Sequence, residues 1–76
     1  MPWSRPLFEP IALKDGRVIA TLNDARVIMR SLPAASRSRD DWFDAGGLML
    51  EAATADGPIR ETAVQLMRAL KAEGLI

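Results

Sequence analysis

The sequence predicts an α+β domain in which an N-terminal antiparallel β-hairpin packs on three α-helices, in the order β-β-α-α-α. Three observations carry this. An Asp-Gly pair, Asp15-Gly16, lies between two apolar runs and marks a tight hairpin turn. Apolar residues then recur at helical spacing. Breaks at Pro33 and Gly57-Pro58 cut that periodic stretch into three.

Met1 to Pro6 contains two prolines and reads as a loose arm, residues 1–6 of a single domain that spans 1–76. Leu7 to Leu22 is the hairpin. A two-residue Asp15-Gly16 loop sets Leu13 opposite Val18 and Ile11 opposite Ala20. Alternation then puts Ile11, Leu13, Val18, Ala20 and Leu22 on the inner face and Phe8, Ala12 and Ile19 on the outer one. Pro10 lacks an N–H, so its strand should be an edge there.

Thr21 and Asp24 form a helix start, with Leu22, Ala25, Ile28, Met29 and Leu32 as the buried stripe up to Pro33. Ala34 to Ser38 reads as a polar connection. Ser38 or Asp40 caps a second helix running to about Ala55. Trp42, Ala45, Met49, Ala52 and Ala53 make its inner stripe, with Phe43 and Leu50 alongside. Gly46 and Gly47 each cost about 1 kcal/mol relative to Ala at mid-helix, which suggests close approach of another backbone there. Asp56-Gly57-Pro58 breaks the chain. Ile59, Ala63, Leu66, Met67 and Leu70 line the last helix, which Gly74 ends. The expected core is Ile11, Leu13, Val18, Leu22, Ile28, Met29, Leu32, Trp42, Met49, Leu66 and Leu70.

Composition narrows the chemistry. The 76 residues include no Cys, His or Tyr, which removes disulfides, thiolate nucleophiles, imidazole bases and Cys/His zinc patterns. No cofactor pattern is present in the sequence, and no secretory leader or membrane-length apolar run is read, so a cytoplasmic location is expected. A domain this short buries only about 60% of its unfolded surface, and with no disulfide or metal the remaining common support is oligomerisation. Net charge is zero, but residues 1–39 carry seven basic and three acidic side chains, and residues 40–76 the reverse.

Asp40, Asp41 and Asp44 are the nearest thing to a cation or acid–base site, but acid in the first turns of a helix is explained by the macrodipole. Ser31, Ser36 and Ser38 have no imidazole to activate them. Arg17, Arg26, Arg30 and Arg37 form a candidate basic patch for nucleic acid, weakened by the zero net charge and the lack of a groove-reading motif. The candidate interface is Phe8, Pro10, Ala12 and Ile19 with Gly46 and Gly47. Pairing that sheet face with a second copy would extend a hairpin that is marginal alone.

Several stretches have a familiar arrangement: Phe8-Glu9-Pro10-Ile11, Gly16-Arg17-Val18-Ile19, Asp24-Ala25 followed by Leu32-Pro33, the aromatic pair Trp42-Phe43 before a small-residue helix, and Ala72-Glu73-Gly74-Leu75 at the close. Together they span nearly the whole chain, which resembles the small bacterial family catalogued as domain of unknown function 982. The chain departs from that pattern at Leu32, where Trp is expected, and at Thr62-Ala63, where an Ala-Arg pair is expected. The resemblance implies a small α+β fold and no catalytic residue. The reading that follows is a non-catalytic interaction or regulatory module acting as a homodimer, with an unidentified protein partner possible. A nucleic-acid-associated regulator is the alternative, and a small-ligand-binding domain comes third.

Overall fold

The computed structural model describes residues 2–54 and 57–76. A 3-10 turn at Pro2–Ser4 leads into β1 (Pro6–Ala12) and β2 (Val18–Thr21). These are followed by α1 (Leu22–Ser31), a single turn α2 (Ala34–Arg37), α3 (Asp40–Thr54) and α4 (Ile59–Ala72). The architecture is the expected α+β one, with the antiparallel hairpin preceding the helices. α1 packs under β2, α4 packs under β1, and α3 and α4 make the largest helix–helix contact.

The hairpin register differs from the expected one by a single residue. Leu13 N–H donates to the Arg17 carbonyl at 2.8 Å, and Ile11 pairs with Ile19 and Ala12 with Val18. The loop therefore has three residues, Lys14, Asp15 and Gly16. Gly16 sits at φ +95°, the left-handed position that ends such a loop. A one-residue slip moves every side chain of one strand to the opposite face. Ile19 is consequently fully buried with Ile11 and Leu13, while Val18 faces outward at 53% exposure. Ile19 thus belongs to the core and not to an exposed interface, and Val18 leaves the expected core.

Both edges of the hairpin carry features that disfavour a further strand. On β1, Pro6 and Pro10 have no N–H to offer, and the pairing is irregular between Pro6 and Ile11. On β2, the Ala20 and Thr21 N–H groups donate to Asp24 Oδ2 at 3.0 and 3.2 Å. The same residue completes the α1 capping box, with Asp24 N–H donating to Thr21 Oγ1. One carboxylate therefore starts the helix and closes the strand end.

The core is built by Leu7, Ile11, Leu13 and Ile19 from the hairpin and by Leu22, Ala25 and Ile28 from α1. Trp42, Ala45 and Met49 of α3 and Leu66, Ala69 and Leu70 of α4 complete it. Met29 and Leu32 are only half-buried at its margin. Phe43 and Leu50 lie outside it at 74% and 55% exposure. Thr62 is the one buried polar residue among those described. Its hydroxyl donates to Pro58 O at 2.7 Å, and it also lies 3.3 Å from Leu48 O, so the group is satisfied in place.

Helix boundaries follow local chemistry with three differences. The expected connection at Ala34–Ser38 contains a helical turn, because the Ser36 and Arg37 N–H groups both find the Pro33 carbonyl. Neither Ser38 nor Asp40 caps α3: the Ser38 hydroxyl donates to Ala35 O, and Asp40 is already helical. Pro58, which by sequence suits the first turn of the last helix, instead stands just before α4 as its N-cap residue. Ala55 and Asp56, assigned from sequence to the helix end and the break, lie outside the described residues, as does Met1.

Residues 2–6 do not form the loose arm expected. Trp3 packs against the core, and Arg26 stacks over its ring at 4.4 Å. Arg5 donates to Ala52 O and Gly57 O at 3.1 and 2.9 Å, tying the entry strand to the end of α3. At the other end, Lys14 N–H donates to Leu75 O at 2.8 Å, so the tail folds back onto the hairpin loop.

Candidate interaction surface

Two surfaces combine apolar side chains with charge. The first is a groove between β1 and α4. Phe8, Pro10 and Ala12 line one side, Val64 and Met67 the other, and Ile76 closes one end. Its volume is about 310 Å³. Phe8 faces outward because its strand neighbours Leu7 and Ile11 take the core positions. The Arg60 guanidinium lies 4.7 Å over the Phe8 ring, so the groove has a cationic lip. Arg68 and Lys71, about two and three turns further along α4, continue that lip past Met67.

The second surface is the solvent side of the α3–α4 pair. Phe43, Asp44, Gly47 and Glu51 of α3 line one shallow depression with Leu48 and Gln65. Leu48 and Gln65 also line the adjoining depression with Arg60, Val64 and Arg68 of α4. The surface is therefore continuous. Its α3 side is acidic and its α4 side mainly basic, with Glu61 as the acidic exception. Gln65 Nε2 donates to Asp41 O at 3.1 Å and fixes the two helices to each other at this seam.

Of the residues singled out from sequence, the structure gathers Phe8, Pro10 and Ala12 in the β1–α4 groove. Ile19 is excluded from it by the register. Gly46 and Gly47 have no foreign backbone beside them. A Cβ at Gly46 would meet only the Met29 side chain at 3.6 Å, and one at Gly47 would meet nothing within 4 Å. The close backbone approach is at Gly57 instead, where a Cβ would lie 3.0 Å from the Glu51 carbonyl.

Two of the four arginines proposed as a basic patch are used locally. Arg17 pairs with Asp15 across the hairpin loop at 2.6 Å. The side-chain hydrogen bond from Arg17 holds the Asp15 carboxyl below the ordinary range and raises Arg17 in turn. Arg26 is stacked on Trp3 and donates to Asn23 Oδ1 at 2.7 Å. Arg30 and Arg37 are exposed in the last turns of α1 and α2, where cations suit the helix dipole.

Asp41, Glu73 and the serine hydroxyls are likewise engaged locally. Asp41 accepts from Trp42 N–H at 2.9 Å and lies 3.5 Å from Arg39, which also reaches Glu73 at 3.7 Å. Ser31 and Ser38 donate to carbonyls within their own turns, and Ser36 donates to Glu73. Among the described residues no cluster of three or more acidic groups is arranged to hold a metal ion. No described helix is long and apolar enough to cross a membrane.

Sequence reasoning missed the α4 side of both surfaces. Arg60, Val64, Met67, Arg68 and Lys71 lie on one side of that helix, a pattern visible from their spacing. No family model matches the chain, and no curated protein or solved structure matches it either.

Proposed function

We propose that this domain is a non-catalytic interaction or regulatory module that acts as a homodimer. The observation that carries this is the set of large apolar side chains left outside a well-filled core on α3 and α4: Phe43, Leu50, Val64 and Met67. Exposed apolar side chains gathered beside charged ones are characteristic of interaction surfaces. Hairpin edges that disfavour a further strand direct association to the helices and away from strand addition. The small size of the core adds a stability reason to associate. Under the same proposal the module works in a bacterial cytoplasm, a reading supported by its resemblance to small bacterial proteins.

Sedimentation equilibrium tests the reading. A mass of two chains at micromolar concentration supports it, and a monomer at high micromolar concentration overturns it.

A second reading, small-ligand binding, is favoured by one observation. The β1–α4 groove reaches the lower end of ligand-pocket volumes, about 300 Å³, and has apolar walls with a cationic lip. A thermal-shift screen with apolar carboxylates tests it. A rise in Tm abolished by Met67→Glu supports the reading, and no rise across the screen removes it.

A further inference from the structure

The α3–α4 surface is complementary to itself. On α3 the exposed charges are all acidic: Asp40, Asp44 and Glu51. On α4 the exposed charges are Arg60, Arg68 and Lys71, against a single Glu61. The two helices run antiparallel, and two contacts fix their relative height. Thr62 Oγ1 lies 3.3 Å from Leu48 O, and Gln65 Nε2 reaches Asp41 O. This register sets Glu51 near the height of Arg60 and Asp44 near that of Arg68. Val64 falls level with Gly47.

Two such faces can be joined by a two-fold axis in three ways. An axis across the helices lays α3 on α3 and brings Asp44 against the partner's Glu51, which is repulsive. An axis normal to the face sets the copies side by side and leaves both faces open. An axis along the helices lays α3 of each copy on α4 of the other. Asp44 and Glu51 of α3 then meet basic residues of α4, and each contact occurs twice.

We propose that this last arrangement is the homodimer interface. Glu51 faces the partner's Arg60, and Asp44 faces the partner's Arg68. The partner's Val64 seats over Gly47, where the absent side chain leaves open space. Phe43, 74% exposed alone, is covered at the edge of the same contact. This gives a reason for a mid-helix glycine with nothing packed on it within its own chain. The inference rests on the homodimer reading and names its surface.

Charge reversal tests the pairing. Glu51→Arg and Arg60→Glu, each alone, should weaken dimerisation about tenfold or more, because each change places two like-charge pairs in the contact. The two changes combined in one chain should restore dimerisation to within a few-fold of the parent. Gly47→Leu is a second probe with opposite effects on two readouts. It should raise the Tm of the monomer, since Leu outranks Gly in helices, while weakening the dimer.

If the parent chain is monomeric at high micromolar concentration, the homodimer reading fails and this inference fails with it. If the parent is a dimer and neither reversal changes its affinity, the interface lies elsewhere. That result overturns this inference alone. Weakening by both single reversals without restoration in the double variant also overturns the pairing.

Discussion

The hairpin and the α3–α4 pair treat their free surfaces in opposite ways. The hairpin disfavours a further strand: prolines remove donors along β1, and Asp24 takes the Ala20 and Thr21 donors at the end of β2. The helix pair is open: its carbonyls and amides are satisfied internally, yet Phe43, Leu50, Val64 and Met67 face outward. A strand edge associates through unpaired backbone groups, which many partners can satisfy. A helix face associates through side chains, whose size and charge select the partner. This chain disfavours the first route and leaves the second.

The sharpest way to break the contrast is at Ile19 and Val18, adjacent β-branched residues with opposite fates. Ile19→Ala should cost about 2–5 kcal/mol in urea unfolding, as expected for a filled core site. Val18→Ala should stay within about 0.5 kcal/mol. Reversed magnitudes would mean the two-residue loop is the true register.

Next in size is Asp24→Ala, which removes the α1 cap and frees the β2 end together. A loss of about 1–2 kcal/mol is expected by the same measurement. Increased aggregation on standing should accompany it if the carboxylate guards the edge. Stability and solubility unchanged from the parent would contradict both roles.

Arg5→Met keeps the aliphatic stem and removes the bonds to Ala52 O and Gly57 O. Leaving two partly buried carbonyls short of a donor should cost about 1–3 kcal/mol. Hydrogen exchange near the end of α3 should rise with it. No change would mean the entry segment is not held by this strut.

The smallest effect concerns the exposed hairpin loop. The Arg17 hydrogen bond lowers the Asp15 pKa from its ordinary value of 3.8. A lowered carboxyl contributes stability above the unfolded value and loses it as pH falls through the folded one. Asp15→Asn should therefore lower stability slightly at neutral pH, with the difference from the parent vanishing as pH falls below 3.8. Salt should reduce even that difference, since both groups are in water.

These comparisons also show what could be read from sequence. Thr21, Asp24 and Pro33 fix α1 because capping and termination are local chemistry. The hairpin was legible and its register was not: Asp-Gly suits a two-residue loop and also a three-residue loop ending in left-handed Gly. Val18 and Ile19 are equally apolar, so burial pattern could not choose between them. What decides is Leu13 N–H finding Arg17 O, and Lys14 N–H finding Leu75 O across the fold.

The interaction surface was hidden for a different reason. Summed along the chain, residues 40–76 are net acidic, and that total conceals a basic side on α4 facing the acidic side of α3. Gly46 and Gly47 suggest a close backbone approach that the structure does not contain, and only Gly47 is open. Gly46 is covered by Met29, which sequence spacing does not reveal.

The most direct test of the proposed dimer uses the absence of cysteine in this chain. Two single-cysteine variants, Gly47→Cys and Val64→Cys, are oxidised separately and as an equal mixture, then run on a non-reducing gel. The proposed interface predicts that the mixture forms far more covalent dimer than either variant alone, because position 47 of one copy meets position 64 of the other. Equal cross-linking in all three samples, or none in the mixture, would contradict it.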